Sequence, residues 1–438
     1  MMIKRLKEIL GGIEGISAWR IIDRQIQGQE LFFIRREVDM QRSKDVRHTS
    51  VAVYRDFQEG SNRYRGSVLV QIHPTYTSEE IRALIQQSLD SAQYVRNEHY
   101  PLVEPGSEAL EIPESSFTAQ SLEQWLAPLA KTIYDQEDGE DARINSTELF
   151  LDGVDTRIIN SLGLDVGYHA YEGYLELIVE SSGSAGEVEL HRSLRFSDFE
   201  PEALAAEVRQ QLRYCRDRAA ARPAPHLKRC PVLISGGPVS DFFQYYLTQS
   251  AAASVYSGVS KAKVGESIQG EEIAGDAINL TLEPYLKNSP SSAPYDYDGL
   301  ALRLTQIVEA GLLKRYWGPL RFCHYLEVPP TGAFRNFSVA PGSKAREELR
   351  RGAHLEVVAF SDFIAEPLTG DFGGEFRLAY YTDSDGQRYP VTGGSVSGNI
   401  KDVQAQMYLS RETQSTTGFQ GPLAIKLPEI SVAGSAAI

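Results

Sequence analysis

Cysteine is scarce in this chain: Cys215, Cys230 and Cys323 are the only three in 438 residues. An odd, sparse set without Cys-x-x-Cys spacing excludes a disulfide framework and a zinc knuckle, and it suits a reducing cytoplasm. Long apolar runs are missing as well. Nothing approaches the ~20 consecutive apolar residues that a membrane-crossing helix needs. Basic charge is in deficit, with 44 Lys and Arg against 59 Asp and Glu and a formal charge of −15. Such a balance repels a phosphate backbone, so direct nucleic-acid binding is not expected. The basic pieces at 213–222 and 344–351 read as solvated helix ends.

Familiar catalytic signatures are absent too. The eight histidines, at 48, 73, 99, 169, 191, 226, 324 and 354, never fall one helical turn apart with an adjacent Glu, the spacing a zinc helix requires. There is no Gly-x-Ser-x-Gly elbow, no Walker A loop and no Rossmann glycine fingerprint.

What is present is an ordinary globular composition, 42% hydrophobic and 24% charged, in a chain too long for one core. The start, with Ile3, Leu6, Ile9 and Leu10 at helical spacing between charges, predicts a helix docked on the first domain and not a signal peptide. Apolar and polar residues alternate over 49–57 and again over 64–72, a β-hairpin. The following TSEE places Thr77 as N-cap and Glu80 as its capping-box partner, with Ile81, Leu84, Ile85 and Leu89 on one helical face. The same order returns: alternation over 165–181, the turn SSGSAG, alternation over 188–196, then an amphipathic helix from 197 to 217. This predicts an internal repeat of hairpin and helix. Between the copies stand a Pro/Glu-rich linker at 101–114, a helix at 122–134 and a hairpin at 148–159 around LDGVD. A second linker, RPAPHLKRCP, precedes a Gly-rich, mostly β region with strands expected at 311–316, 354–363, 375–382 and 424–430. The fold class is therefore α+β, with domains at 1–105, 106–222 and 223–438.

Few side chains suggest chemistry. His354 and Glu356 fall on one face of a strand, a pair that is more often a solvated face than a metal site, although a hydrolase with a metal on His354 and carboxylates brought in by folding is one reading. Asp296, Asp298, Asp383 and Asp385 occur in PYDYDG and TDSDG, similar to calcium-loop spacing but better read as turns. Cys323 and His324, adjacent in sequence, point to opposite faces of a strand and form no dyad. In GGPVSDFFQYYLTQSAAASVYSG, Phe242 and Tyr246 share a helical face and read as core. Phe243 and Tyr245 are left between core and a partner surface.

Four stretches of the carboxyl-terminal half, PYDYDGLALRLTQIVEAGLLKRYW, PPTGAFRNFSV, VTGGSVSGNIKDV and LPEISVAG, resemble in order and spacing the TldD/PmbA family, and YVRNEHYPLVEP resembles the end of its first domain. The motif positions here are Asp298, Gly299, Gly311, Gly332, Gly394, Gly398, Asn399 and Asp402. The glycines and Asn399 are read as a tight turn and Asp402 as a helix cap. Arg335 and Asn336 are read either as donors to a peptide backbone or as part of a structural salt bridge.

The resemblance implies a bacterial cytoplasmic peptidase system in which a TldD member holds zinc through an HExxxH helix and a distant Cys, and pairs with a TldE member that has no metal site. Together they act on unstructured peptides and trim leader peptides; the family also carries the label modulator of DNA gyrase. In the zinc-bearing members that helix falls where GGPVSDFFQYYLTQSA lies here, and residues 236–265 contain no His or Cys and no Glu; Asp241 is the one possible ligand. The Cys region corresponds to RETQSTTGFQG, which has none. The resemblance therefore implies the TldE branch: a non-catalytic subunit with no cofactor of its own, a zinc-bearing partner and an unstructured peptide as ligand. A homodimeric peptide-binding or regulatory protein is the alternative.

Overall fold

The computed structural model describes residues 2–434 apart from 107, 109, 140, 184 and 185. The SSGSAG turn and the Pro/Glu-rich linker lie partly outside these.

The repeat is larger than its sequence signal. The first unit runs α1 (Met2–Gly11), β1 (Ala18–Ile34), β2 (Glu37–Glu59), β3 (Asn62–Ile72) and α2 (Ser78–Ala92). The second repeats it as α3 (Leu122–Tyr134), β4 (Ala142–Asn160), β5 (Asp165–Gly183), β6 (Gly186–Phe196) and α4 (Pro201–Ala219). Their strands join in a single six-stranded sheet of order β3-β2-β1-β4-β5-β6, so segments 1–105 and 106–222 share one sheet. Period-two burial explains which face the helices cover: along β5, Leu175, Leu177 and Val179 are buried against Val208, Leu212 and Cys215 of α4. At α2 the capping box forms as expected, with the Glu80 amide donating to Thr77 Oγ1 at 3.2 Å and the Thr77 amide to Glu80 Oε2 at 2.7 Å.

The hairpin expected at 148–159 is instead one continuous strand, β4. Asp-Gly is a strong turn signal, but here Asp152 lies over Gly28 of β1, where a Cβ would overlap its carboxylate, and it pairs with Lys44 of β2 at 2.8 Å. Cross-strand pairing on both sides overrides the local turn preference.

The remaining elements follow the second unit. They begin with β7 (Arg222–Pro223), β8 (Leu227–Ser235), α5 (Pro238–Ser250), α6 (Ala252–Tyr256), β9 (Leu280–Leu282), β10 (Thr305–Glu309), β11 (Leu312–Leu313) and α7 (Leu320–Tyr325). Next come β12 (Phe337–Val339), α8 (Arg346–Leu349), β13 (His354–Ala365), β14 (Asp371–Thr382), β15 (Arg388–Thr392) and β16 (Gly394–Asn399). The chain ends through α9 (Ile400–Val403), β17 (Tyr408–Leu409), β18 (Thr413–Thr416), β19 (Phe419–Pro422) and β20 (Ala424–Ala433). The strand expected at 311–316 shrinks to β11.

One sheet runs β13-β8-β20-β16-β14, and because β13 also pairs with β14 these strands close into a ring. A second sheet has the order β11-β10-β9-β12-β19-β18. Helix α5 lies in the core shared by both. Cys323 and His324 sit on the helix α7, the thiol buried and the imidazole exposed, so the expected strand is absent there while the separation of the two side chains remains.

Glu356 on β13 is fully buried and is held by Arg346 at 2.6 Å, Arg350 at 2.9 Å and Arg388 at 3.2 Å. Burial by itself would raise its carboxyl; hydrogen bonds from Arg350 and the charges of Arg346 and Arg350 bring it down to about 2. A depressed carboxyl contributes stability that is present above its ordinary range, near 4.5, and is lost as pH falls toward 2. Glu356→Gln is expected to destabilise the fold by about 3–5 kcal/mol in denaturant titration at pH 7, because the guanidiniums lose their buried anion. The difference from wild type should shrink as pH falls below 4.5.

Candidate functional site

A cleft of about 830 Å³ opens where the two halves of the chain meet. One wall is the end of β6 with the first turns of α4; the other is the amino-terminal turn of α5 with the 415–417 loop of the β18–β19 hairpin. These latter segments are the two places where zinc-bearing relatives keep their ligands according to the resemblance above. The fold brings them together through Gly236, whose φ of +81° turns the chain from β8 into α5. Gln414 Nε2 donates to the Gly236 carbonyl at 2.9 Å, fixing β18 beside that turn.

The side chains in the cleft do not fit zinc. Residues 240, 415, 416 and 417 offer only the hydroxyls of Ser240, Ser415, Thr416 and Thr417, with Asp241 as the single carboxylate on these segments. A structural or catalytic zinc takes three or four thiolate, imidazole or carboxylate donors. Among the described residues no three His, Cys, Asp or Glu side chains converge on a point. His354, on its buried strand, faces the Gly352 carbonyl with Nδ1 at 2.9 Å, and Glu356 is committed to arginines.

The opposite wall is partly charged; Arg195 lies over the Tyr174 ring at 5.0 Å, and the other charges have polar partners. Arg192 meets Glu207 at 3.2 Å, Lys287 pairs with Glu200, and Asp198 accepts from Ser116. Asn288, held at φ +58°, accepts from the Ser197 and Asp198 amides at 2.9 and 2.8 Å and thereby ties the end of β6 to the carboxyl-terminal half. Leu194, Phe199 and Leu204 supply an apolar surface beside them. Asp241 differs: exposed to the cleft, it has no hydrogen-bond or ion-pair partner among the described residues, and the surrounding protein raises its carboxyl by desolvation. Two strand edges also border the cleft. Among the described residues β6 pairs only with β5 and β18 only with β19.

None of the motif positions lines this cleft. Asp298 pairs with Arg20 across the two halves, and its turn is organised by buried Asp296, which accepts from the Asp298, Leu300 and Ala333 amides at 2.9, 3.0 and 3.1 Å. Gly299, Gly311 and Gly332 take positive φ. Gly394 and Gly398 do not form a tight turn: they lie in β16, where a Cβ would strike the rings of Phe376 and Phe372. Asn399, and not Asp402, caps α9, accepting from the Lys401 amide at 2.9 Å and donating to Asp371 at 2.7 Å. Asn336 is buried between Ser289 and Ser292, at 2.9 and 3.1 Å, while Arg335 is exposed. All four α5 aromatics are core, Phe243 and Tyr245 included. The sequence singles out the α5 segment and the 411–421 stretch, and it gives β6 as a strand, but it assigns no part in a site to β6, Lys287 or Asn288. No spacing signal links residues roughly a hundred positions apart.

The closed strand ring and the buried α5 lie within residues 227–434, which match the PmbA/TldA metallopeptidase C-terminal domain. That match covers the carboxyl-terminal region of the chain, and the similar proteins that follow are of the same PmbA/TldD/TldE metallopeptidase-related kind. It is 23% identical over 229 residues to the metalloprotease PmbA of Escherichia coli O157:H7, covering 50% of each chain. To a zinc metalloprotease TldD homolog of Saccharolobus solfataricus it is 25% identical over 173 residues, 35% of this chain and 38% of that one. The chain thus spans about half the length, or less, of these curated relatives. In fold it is similar to TldE from Thermococcus kodakarensis, with a TM-score of 0.78 at 17% identity over 99% of this chain and 100% of the other. A putative modulator of DNA gyrase from Thermotoga maritima gives a TM-score of 0.77 at 18% identity, with 99% and 100% covered. No helix among the described residues is long and apolar enough to cross a membrane.

An acid whose folded value is raised loses stability above that value and none below its ordinary range, near 3.8. Asp241→Asn is therefore expected to raise Tm at pH 7, with the gain disappearing below pH 3.8; a lower Tm at neutral pH would mean that Asp241 has a partner.

Proposed function

We propose that this chain is the TldE/PmbA-like, non-catalytic subunit of a TldD/TldE-type zinc peptidase, holding unstructured peptide in its cleft while a TldD-type partner supplies zinc. The observation that carries the reading is the composition of the cleft. The segments that carry ligands in zinc-bearing relatives meet there, but bring hydroxyls and one carboxylate.

The open edges of β6 and β18 support the peptide half of the proposal. An unpaired edge offers alternating backbone N–H and C=O groups to any extended chain, so recognition rests on backbone and tolerates varied sequence. The ordered cores on either side give that edge a fixed position.

The test is peptidase activity on casein fragments, measured with this chain alone and mixed with a TldD-type partner, alongside the zinc content of each. Activity and zinc are expected only when the partner is present. Chelator-sensitive hydrolysis by this chain alone would overturn the reading, and inactivity of a mixture whose partner is zinc-loaded would replace it with a homodimeric peptide-binding protein.

A further inference from the structure

The cleft holds more information than a bare strand edge requires. Two of its three cations are matched by anions, Arg192 by Glu207 and Lys287 by Glu200; the third, Arg195, lies over the Tyr174 ring at 5.0 Å, on the face of β6 opposite to Leu194 and α4. Asp198 is occupied by the Ser116 hydroxyl and amide. Among the described residues Asp241 is left as the carboxylate facing the cleft without a counter-charge, and burial raises its carboxyl. Its helix is anchored by Phe242, Phe243, Tyr245 and Tyr246, so the position of the carboxylate is set by the core and not by a mobile loop. Across from it, Leu194, Phe199 and Leu204 remain partly exposed in a surface that polar residues otherwise dominate.

Resting on the peptide-binding reading above, we infer that Asp241 and the Leu194–Phe199–Leu204 wall select, among extended peptides, segments that carry a cationic side chain beside apolar ones. The charge argument is direct. On the α4 face of β6 an entering ammonium or guanidinium meets one unmatched anion, whereas an entering carboxylate adds a second. The apolar wall supplies the other half. A strand lying along β6 sends alternate side chains to opposite faces, and those on the α4 side meet Leu194 and Leu204.

Fluorescent twelve-residue unstructured peptides measured by anisotropy against the full chain at ~0.15 M salt, where long-range attraction to the net charge is screened, test this. The panel is Leu/Lys, Leu/Glu and Ser/Lys in otherwise identical frames, plus a backbone N-methylated Leu/Lys peptide. The Leu/Lys peptide is expected to bind about fivefold tighter than Leu/Glu, and tighter than Ser/Lys. Asp241→Asn should cancel the Lys-over-Glu preference while leaving Leu over Ser intact. A Lys preference that survives in Asp241→Asn would trace it to the overall charge and overturn the inference. Equal affinity of the three unmethylated peptides, with binding lost in the N-methylated Leu/Lys peptide, would overturn the selectivity while edge pairing stands. Binding by none would overturn both.

Discussion

The burial of α5 is the constraint on which the site depends. Phe242 packs on Phe372 with ring centroids 5.7 Å apart, Phe243 stacks on Phe419 at 6.1 Å, and the Tyr246 hydroxyl donates to Gln404 at 3.0 Å. Trp317 closes the other end by donating to the Leu247 carbonyl at 2.8 Å. With one face so committed, Ser240 and Asp241 have only the cleft to face. Aromatic packing holds the helix in place whatever side chains its amino-terminal turn presents to the cleft.

The cleft's walls come from opposite halves of the chain, so its shape depends on the seam between them. Asn288 grips the end of β6, Arg20 reaches Asp298, and Tyr380 of β14 donates to Asp217 of α4. Tyr100, on the connection between the two repeat units, packs edge-on against Tyr325 of α7 with centroids 6.1 Å apart, and Arg65 donates to its carbonyl at 2.6 Å. Glu356 performs the equivalent task inside the strand ring, joining β13 to α8 and to Arg388 on β15. These are directional contacts between surfaces that an apolar seam alone would leave free to slide.

Much of this architecture was legible in the sequence where local physics decides it. The capping box at Thr77, the alternation along β5 and the helical stripe in α1 each follow from spacing, and all three formed. What failed did so where distant residues outvote local preference. LDGVD became strand because Lys44 and Gly28 sit opposite Asp152. Gly394 and Gly398 looked like turn residues, but they are small to admit two phenylalanine rings that arrive from β14. The strand β1 links the two repeat units by pairing with β4, and its polar residues, among them Gln25, Gln27 and Gln29, hide the alternation. For the site, the residue types of the α5 segment and of 415–417 can be read directly, whereas the apolar wall and the position of Asp241 across from it exist only once β6 and α5 are folded against each other.

The central claim is that extended peptide binds in this cleft along its strand edges. Hydrogen exchange of the backbone amides, compared with and without a saturating casein-derived peptide, tests it most directly. The account predicts slowed exchange at outward-facing amides of β6 near residues 192–196 and of β18 at 413–416, with α5 unchanged because it is already buried. Protection confined to other surfaces, or none at saturation, would contradict it.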